Sequence, residues 1–553
     1  MNWLTAKVLP RAQSPGSAGG VGKKNGVWSF NGHGIDIQVE RYDSLNRSNV
    51  GIAVDRDCTT VCAMVGYLLD GPDSKTDTSD TELMLDRYVQ EGIEGVRRLD
   101  GIFTAFFWDA KKYRGTAVQD VWGGNLPLYF ARVRSGLVIS TCLRHVLIEM
   151  PKGDRKLDMA AVEAMVFDGF MAPGERSLVS GVSKLTPGMY LTVNGRSMSA
   201  ESRSFSSENM EDPERETGTG IIGSVKHITT TLSDRIAGDD RFSTLSGGFD
   251  SPVIIQALRS CPNTKVHAMT IGGRNVDEIP LARKTARLMP GLHHGIARVK
   301  SSDAQNLPDM VWRTEGYVFE RGLFLQYRLG ELARQRGVQV LFASEGADQI
   351  IEPMWYQKLK NLLKKTYLMD RYNRRCRGET VSPSKRRRLV RRFRSQYPVQ
   401  FDTFLDCILK KSGMILNSFD VLVLYPYMNR KTLALARMSG LSNVEKRAFK
   451  KDVRRMLGWE GTRHMVKIGG CTDIGYLIES ERATLLRVLE TCLVRELFTD
   501  GDRDIIRRDP LAYGELIMQL VYLHLFSELF ISGNHDHRFT EPGITLTLDE
   551  LMG

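Results

Sequence analysis

Cysteine is scarce in this 553-residue chain: there are eight, scattered, and only Cys58 and Cys62 lie close together. A Cys-x-x-x-Cys pair with no second Cys or His pair nearby is weak ground for zinc, and buried thiols are the expectation. No apolar run approaches the ~18 residues that a bilayer span needs. Residues 1–24 mix Gly, Ser, Pro and Lys without the apolar segment of a secretory signal, so a cytoplasmic location is expected. Two common phosphate-binding signatures are missing as well. There is no Gly-Lys-Ser/Thr of a Walker loop and no three-glycine dinucleotide fingerprint.

What is present is the profile of a globular protein, with 42% hydrophobic and 25% charged residues. The length exceeds one ordinary core, so two domains are expected, three at most. Net charge is +11, much of it in 358–394, where Lys364, Lys365, Arg374, Arg375, Lys385, Arg386, Arg387 and Arg388 face few acids. Leu362, Leu363, Leu368, Tyr372, Leu389 and Phe393 alternate with these charges, so the run reads as a solvated helical face. Its alternative is a grip on nucleic acid, a membrane surface or an acidic peptide.

The most informative stretch is Leu245–Ser251, Leu-Ser-Gly-Gly-Phe-Asp-Ser, between Arg-Phe-Ser-Thr and Pro-Val-Ile-Ile-Gln-Ala-Leu. That order predicts strand, tight turn, helix start. Gly247 and Gly248 let backbone N–H groups turn toward a ligand, and the helix N-terminus behind them favours an anion. Ser246 and Ser251 add hydroxyls, and Asp250 adds a carboxylate suited to Mg²⁺ on phosphates. The stretch is a phosphate cradle.

Residues 27–200 read as β-rich, with apolar segments at 61–69, 102–108, 126–133 and 188–193 between Gly, Asp and Asn turns. The polar, acidic stretch 200–217 is the best linker. After it, helices at 221–236, 251–258, 279–288 and 323–336 alternate with strands at 242–245, 266–271, 294–299 and 339–343. This predicts a doubly wound parallel sheet with its ligand at the carboxyl ends of the strands. From about 355 onward the pattern is mostly helical.

Three further segments carry candidate chemistry. Val340–Ile351 is an apolar strand ending in a small-residue turn with Asp348, which would share the sheet edge with Asp250 and help hold Mg²⁺. Lys450 to Arg454 and Met465 to Gly470 bring lysines that can meet charge building on phosphates. On spacing alone such lysines are ordinary surface residues.

These segments together resemble the asparagine-synthetase superfamily over nearly the whole chain. Ser246–Ser251 is similar to its pyrophosphate loop, and Thr270–Gly272 with Asp277-Glu278 and His293-His294 to its second ATP-contacting strand. Ser344-Glu-Gly-Ala-Asp348 is similar to its Ser-Gly-Glu-Gly-Ser-Asp turn, 423–433 to its Arg-Val-Pro-Phe-Leu-Asp segment, and Lys450-x-x-Val-Arg454 to Lys-x-x-Leu-Arg. Leu99–Asp109 and Asp120–Tyr129 resemble the family's glutaminase domain. The resemblance implies a fold in two parts. An α+β amidotransferase-like β-sandwich over 1–205 is followed over 206–553 by an α/β doubly wound parallel-sheet ATP-pyrophosphatase domain with a helical C-terminal part. It implies ATP and Mg²⁺ as cofactors, with Ser246, Gly247, Gly248, Asp250, Ser251, Thr270, Gly346 and Lys450 on ATP and Asp250 and Asp348 on the metal.

The family's glutaminase uses a cysteine at position 2, where this chain has Asn2, and an amide cannot be a thiolate nucleophile. The first domain is then expected to fold without making ammonia, and the attacking amine must come from the substrate. Branches with this loss include β-lactam and carbapenam synthetases and the cyclases that close the macrolactam of lasso peptides. Val466-Lys-Ile-Gly-Gly resembles the lysine segment of the β-lactam branch and marks Lys467 as catalytic, with Glu345 where that branch carries the tyrosine of its base dyad. A helix over 478–498 with Arg and Glu-Leu pairs fits the lasso cyclases better. The resemblance therefore points to a precursor peptide as substrate, with a maturation protease and a peptide-recognition protein as further partners and no membrane. A tRNA-modifying enzyme is the nucleic-acid alternative, disfavoured because it would not need the amidotransferase-like half.

Overall fold

A computed structural model describes residues 2–10, 20–40, 45, 51–69, 78–167, 171–172, 174–204, 220–274, 277–352, 404–466 and 472–552. The basic run at 358–394 and Lys467 lie outside these residues.

The first part is built from two antiparallel sheets. Among the described residues one sheet runs Ser183–Lys184, Tyr129–Val133, Gly136–Ser140, Trp3–Val8, Ile35–Glu40, Val27–Gly32, Gly20–Lys24. The other runs Ser199–Ser204, Met189–Asn194, Arg114–Gln119, Gly101–Asp109, Thr60–Leu68, Ile52–Val54. Period-2 alternation shows in Trp3–Val8, where Leu4, Ala6 and Val8 are fully buried and the residues between them are not. Their apolar faces meet, so that Leu4, Ile37 and Val39 share one core with Val61, Val65, Phe106 and Trp108. Helix Asp80–Arg97 starts at a capping box in which Ser79 and Glu82 satisfy each other's backbone N–H.

The second part holds a parallel sheet in the order His293–Arg298, Lys265–Gly272, Asp240–Thr244, Val340–Phe342, Leu422–Leu424. Helices Ser251–Arg259, Ile279–Arg287 and Leu323–Gln335 lie between strands, close to the predicted bounds. The chain starts in the middle strand, winds to one side and returns to the other. The topological switch point thus falls between Asp240–Thr244 and Val340–Phe342, where ligands of such sheets bind.

The part after 355, mostly helical among the described residues, also contributes a strand, Leu422–Leu424, which pairs with Val340–Phe342. Two expectations are corrected. The helix expected over 478–498 is four short pieces, Ile474–Ser480, Arg482–Leu486, Arg487–Glu490 and Cys492–Leu497. It breaks at Glu481 (φ −118°, ψ 27°) and at Thr491, extended at φ −69°, ψ 152°, whose hydroxyl turns back to Val488 O. One apolar helical stretch, Gly514–Ile531, does reach the length of a membrane span, and 72% of it is buried inside the protein. Its leucines and aromatics form core: Leu520, Val521, Leu523 and Phe526 have no exposed surface.

Candidate active site

The loop after the Asp240–Thr244 strand is tied by its own serines. Ser246 N–H donates to Ser251 Oγ at 3.0 Å, and Gly248 N–H donates to Ser246 Oγ at 3.2 Å. Gly247 is required by packing, since a Cβ there would sit 2.4 Å from the Leu281 side chain. Gly248 is different: a Cβ would meet only Ser246 Oγ at 3.4 Å, so the space over its backbone is open to a ligand. Ser251 opens helix Ser251–Arg259, with Pro252 in its first turn.

Thr270 stands behind the loop. Its hydroxyl donates to Leu245 O at 2.6 Å and lies 2.7 Å from His294 Nε2, and burial pushes the His294 pKa down. With Thr270 Oγ1 donating, the neutral His294 ring supplies the Nε2 proton. Thr270 therefore fixes the end of the strand from below.

The turn after Val340–Phe342 carries the other half of the site. Gly346 has φ +90°, and a Cβ on it would fall 2.2 Å from Met428 Sδ, so both backbone and packing demand glycine. Glu345 Oε1 accepts from Gln326 Nε2 at 3.2 Å, and burial raises its pKa. Beside it lies Tyr425, whose hydroxyl is buried. Burial and then the Glu345 charge hold its pKa well above the ordinary value.

Asp250 and Asp348 converge on a lysine that sequence reasoning passed over. Lys446 Nζ lies 2.6 Å from Asp250 Oδ1, 2.8 Å from Asp250 Oδ2 and 2.6 Å from Asp348 Oδ1. Lys446 is buried at φ +54°, just ahead of helix Arg447–Leu457. Lys450 lies one turn on, its ammonium 5.8 Å from the Phe249 ring, with its pKa lowered by burial and then by Lys446. Arg454 stacks on Phe249 at 5.3 Å and on Trp459 at 5.0 Å. The result is a cationic wall along the phosphate loop, with helix Arg447–Leu457 burying Phe449 and Val453 on the adjoining face, where the Lys446 ammonium lies 5.8 Å from the Phe449 ring.

These residues fit a divalent cation with a triphosphate. The two carboxylates already share one positive charge, and among the described residues there is no group of three or more His, Cys, Asp or Glu that could hold a metal alone. A cation here would draw its remaining ligands from phosphate oxygens and water, the usual habit of Mg²⁺.

Position 2 sits far from this chemistry in sequence but against the same domain. Asn2 is buried at the head of the Trp3–Val8 strand; its N–H donates to Asn417 Oδ1 at 2.9 Å, and Asn417 Nδ2 donates to Asn2 O at 2.8 Å. The nearby Cys142 Sγ is 2.8 Å from Glu315 Oε1, and burial first, then Glu315, pushes its thiol up to about 12. Neither group is a thiolate.

Residues 230–453 match the family described as asparagine synthase, and residues 68–205 the glutamine amidotransferase domain. Among similar proteins is "Asparagine synthetase [glutamine-hydrolyzing] 1" of Bacillus subtilis, 22% identical over 280 residues, 49% of this chain and 42% of that protein. Another is "Amidase chyE" of Penicillium rubens, 23% identical over 292 residues, covering 49% and 42% in the same way. The match thus spans less than half of each relative. Both domain matches lie in chain order on the predicted sandwich and parallel sheet, and with the Bacillus relative they support the asparagine-synthetase superfamily.

Proposed function

We propose that the protein is an ATP-dependent, AMP-forming carbon–nitrogen ligase that joins a carboxylate and an amine of the same substrate. The observation that carries this reading is the meeting of Asp250 and Asp348 on Lys446 at the sheet's switch point, beside the Ser246–Ser251 loop. The loop's open backbone over Gly248 would receive the pyrophosphate, and Asp250 and Asp348 would hold Mg²⁺, which would supply charge screening for the triphosphate. Lys446, Lys450 and Arg454 meet the charge that develops as a carboxylate oxygen attacks the α-phosphorus and pyrophosphate leaves. An amine then attacks the acyl carbon, AMP departs, and Glu345 takes the amine proton. A carboxylate whose pKa is raised by burial is suited to that task.

Asn2, seated on Asn417, favours a substrate that brings its own amine. The substrate class we favour is a precursor peptide whose Asp or Glu side chain is adenylated and then captured by its α-amine, as in lasso peptide cyclases. Break-up of 478–498 into short helices removes one feature that suggested this branch, so the reading rests on Asn2 and the cationic wall. A second reading, a β-lactam-type synthetase acting on a small amino-acid-derived metabolite, is favoured by the Glu345–Tyr425 pair. That pair places a tyrosine next to the candidate base, though not at position 345 itself. Incubating the protein with ATP and Mg²⁺ and either a precursor peptide or a β-amino acid panel, and measuring AMP, tests both. Absence of AMP with every carboxylate substrate would overturn the ligase reading.

A further inference from the structure

The segment Tyr425–Arg430 sits between the two domains and touches both halves of the candidate site. From its middle, Tyr427 Oη donates to Asp250 O at 2.8 Å, and Met428 Sδ packs on Gly346 in the turn that carries Asp348. Both of its ends are held by the amidotransferase-like domain. At one end Tyr425 N–H donates to Tyr67 Oη at 3.0 Å; at the other Arg430 N–H donates to Asp100 Oδ2 at 2.7 Å. Tyr67 is fully enclosed on the Thr60–Leu68 strand, and Asp100 is buried at the head of Gly101–Asp109. Asp100 also places a carboxylate at the N-terminus of helix Arg430–Ser439, where Asn429 Oδ1 takes the Thr432 N–H. Arg235 adds a third tie, donating to Leu68 O at 2.6 Å and to Asp80 Oδ2 at 2.7 Å.

We infer that Tyr67 and Asp100 are positioning residues for the synthetase site, so that the amidotransferase-like domain serves as a brace for the Asp250 loop. The physical reason is that a strap fixed at both ends transmits its position to the groups hung on its middle. Tyr427 reaches Asp250 through its main-chain oxygen, so a shift of the strap moves the loop as a body. Freeing Tyr425 N–H would leave a buried donor unpaired, which the chain relieves only by moving the strap. The kinetic part of this inference rests on the ligase reading above; the mechanical part does not.

The test compares Tyr67→Phe with Tyr113→Phe, which removes one hydroxyl hydrogen bond of the same domain, to Leu9 O at 2.9 Å, away from the strap. Hydrogen exchange by mass spectrometry on the full chain should show peptides covering 245–251 exchanging about fivefold or more faster in Tyr67→Phe, and unchanged in Tyr113→Phe. Equal exchange of that loop in both variants would overturn the brace, whatever the protein catalyses. Asp100→Ala should behave as Tyr67→Phe does, while Asp100→Asn, which keeps an acceptor oxygen for Arg430 N–H, should behave as wild type. If both Asp100 variants behave alike, positioning by that oxygen is wrong. Where the wild-type protein supports ATP–pyrophosphate exchange, Tyr67→Phe should also need about threefold or more Mg²⁺ for half-maximal rate, with its unfolding midpoint close to that of Tyr113→Phe. Loss of rate in step with loss of folded protein would contradict positioning, and a wild type inactive in exchange would count against the ligase reading alone.

Discussion

Replacing Lys446 with methionine keeps the apolar stem and removes the charge. The backbone at φ +54° is as demanding for one residue as for the other, so local strain is not changed. What changes is the balance between two carboxylates, each with an oxygen 2.6 Å from the same nitrogen, hence no more than twice that distance apart. Lys446 is 5% exposed, Asp250 15% and Asp348 28%, so water screens the pair incompletely. At ~5 Å and an effective dielectric of ~20, two like charges repel by about 3 kcal/mol, close to the ~3–5 kcal/mol expected when a buried pair loses one partner. Lys446→Met should therefore lower the unfolding free energy of the ligand-free protein by about 2–3 kcal/mol. Millimolar Mg²⁺, binding in place of the ammonium, should restore part of it. In ATP–pyrophosphate exchange, the loss of a preorganised cation beside the triphosphate should cost about a hundredfold in rate. Denaturation with and without Mg²⁺, together with exchange kinetics, checks both numbers. A variant as stable as wild type without Mg²⁺, with exchange undiminished, would refute the role given to Lys446.

Asp250→Asn and Asp348→Asn should each abolish AMP formation while leaving the fold intact, since an amide is a poor ligand for Mg²⁺; wild-type AMP formation at limiting Mg²⁺ in either would show that the metal is held elsewhere. The protein should release no glutamate from glutamine, because Asn2 supplies no nucleophile, and release above background would contradict this. Glu345→Gln should slow amide formation at least about tenfold, measured with saturating ATP. Its stability effect has a sign. Burial raises the folded-state pKa of Glu345 above its unfolded value, so the stability linked to its proton is present below the unfolded pKa and lost as pH rises through the folded one. Unfolding midpoints of Glu345→Gln and wild type should agree near pH ~4, with the variant gaining relative to wild type toward pH ~8. A constant difference across that range would rule out the shift.

The parallel sheet was legible because its strands are short apolar runs separated by helical spacing, and Ser246–Ser251 supplied the loop between strand and helix. Asp250 and Asp348 could be paired from sequence because both follow strands of one sheet, and strand ends of such a sheet share an edge. Lys446 could not. It precedes its helix in a left-handed conformation, and nothing in the spacing of Lys446, Lys450 and Lys451 says which ammonium turns inward. Lys450 was chosen by resemblance and stands beside the loop, 5.8 Å from the Phe249 ring, while the ion pairs belong to Lys446. The broken helix at 478–498 had good helical composition, but at Thr491 the hydroxyl turns back to Val488 O, and at Glu481 the carboxylate accepts from Gln305 Nε2 at 2.9 Å, a contact that no local pattern announces. Strand Leu422–Leu424 escaped notice because a three-residue apolar run among helices has no period of its own.

On the reading proposed here, one substrate molecule should supply both the carboxylate and the amine, at the expense of ATP cleaved to AMP. This is tested most directly by incubating the protein with a precursor peptide, ATP and Mg²⁺ and following both peptide mass and nucleotide. The expected result is loss of one water per peptide, one AMP and one pyrophosphate per ring, and no change when glutamine or ammonia is added. AMP formed only when free ammonia or glutamine is supplied, with nitrogen incorporated into the product, would contradict it.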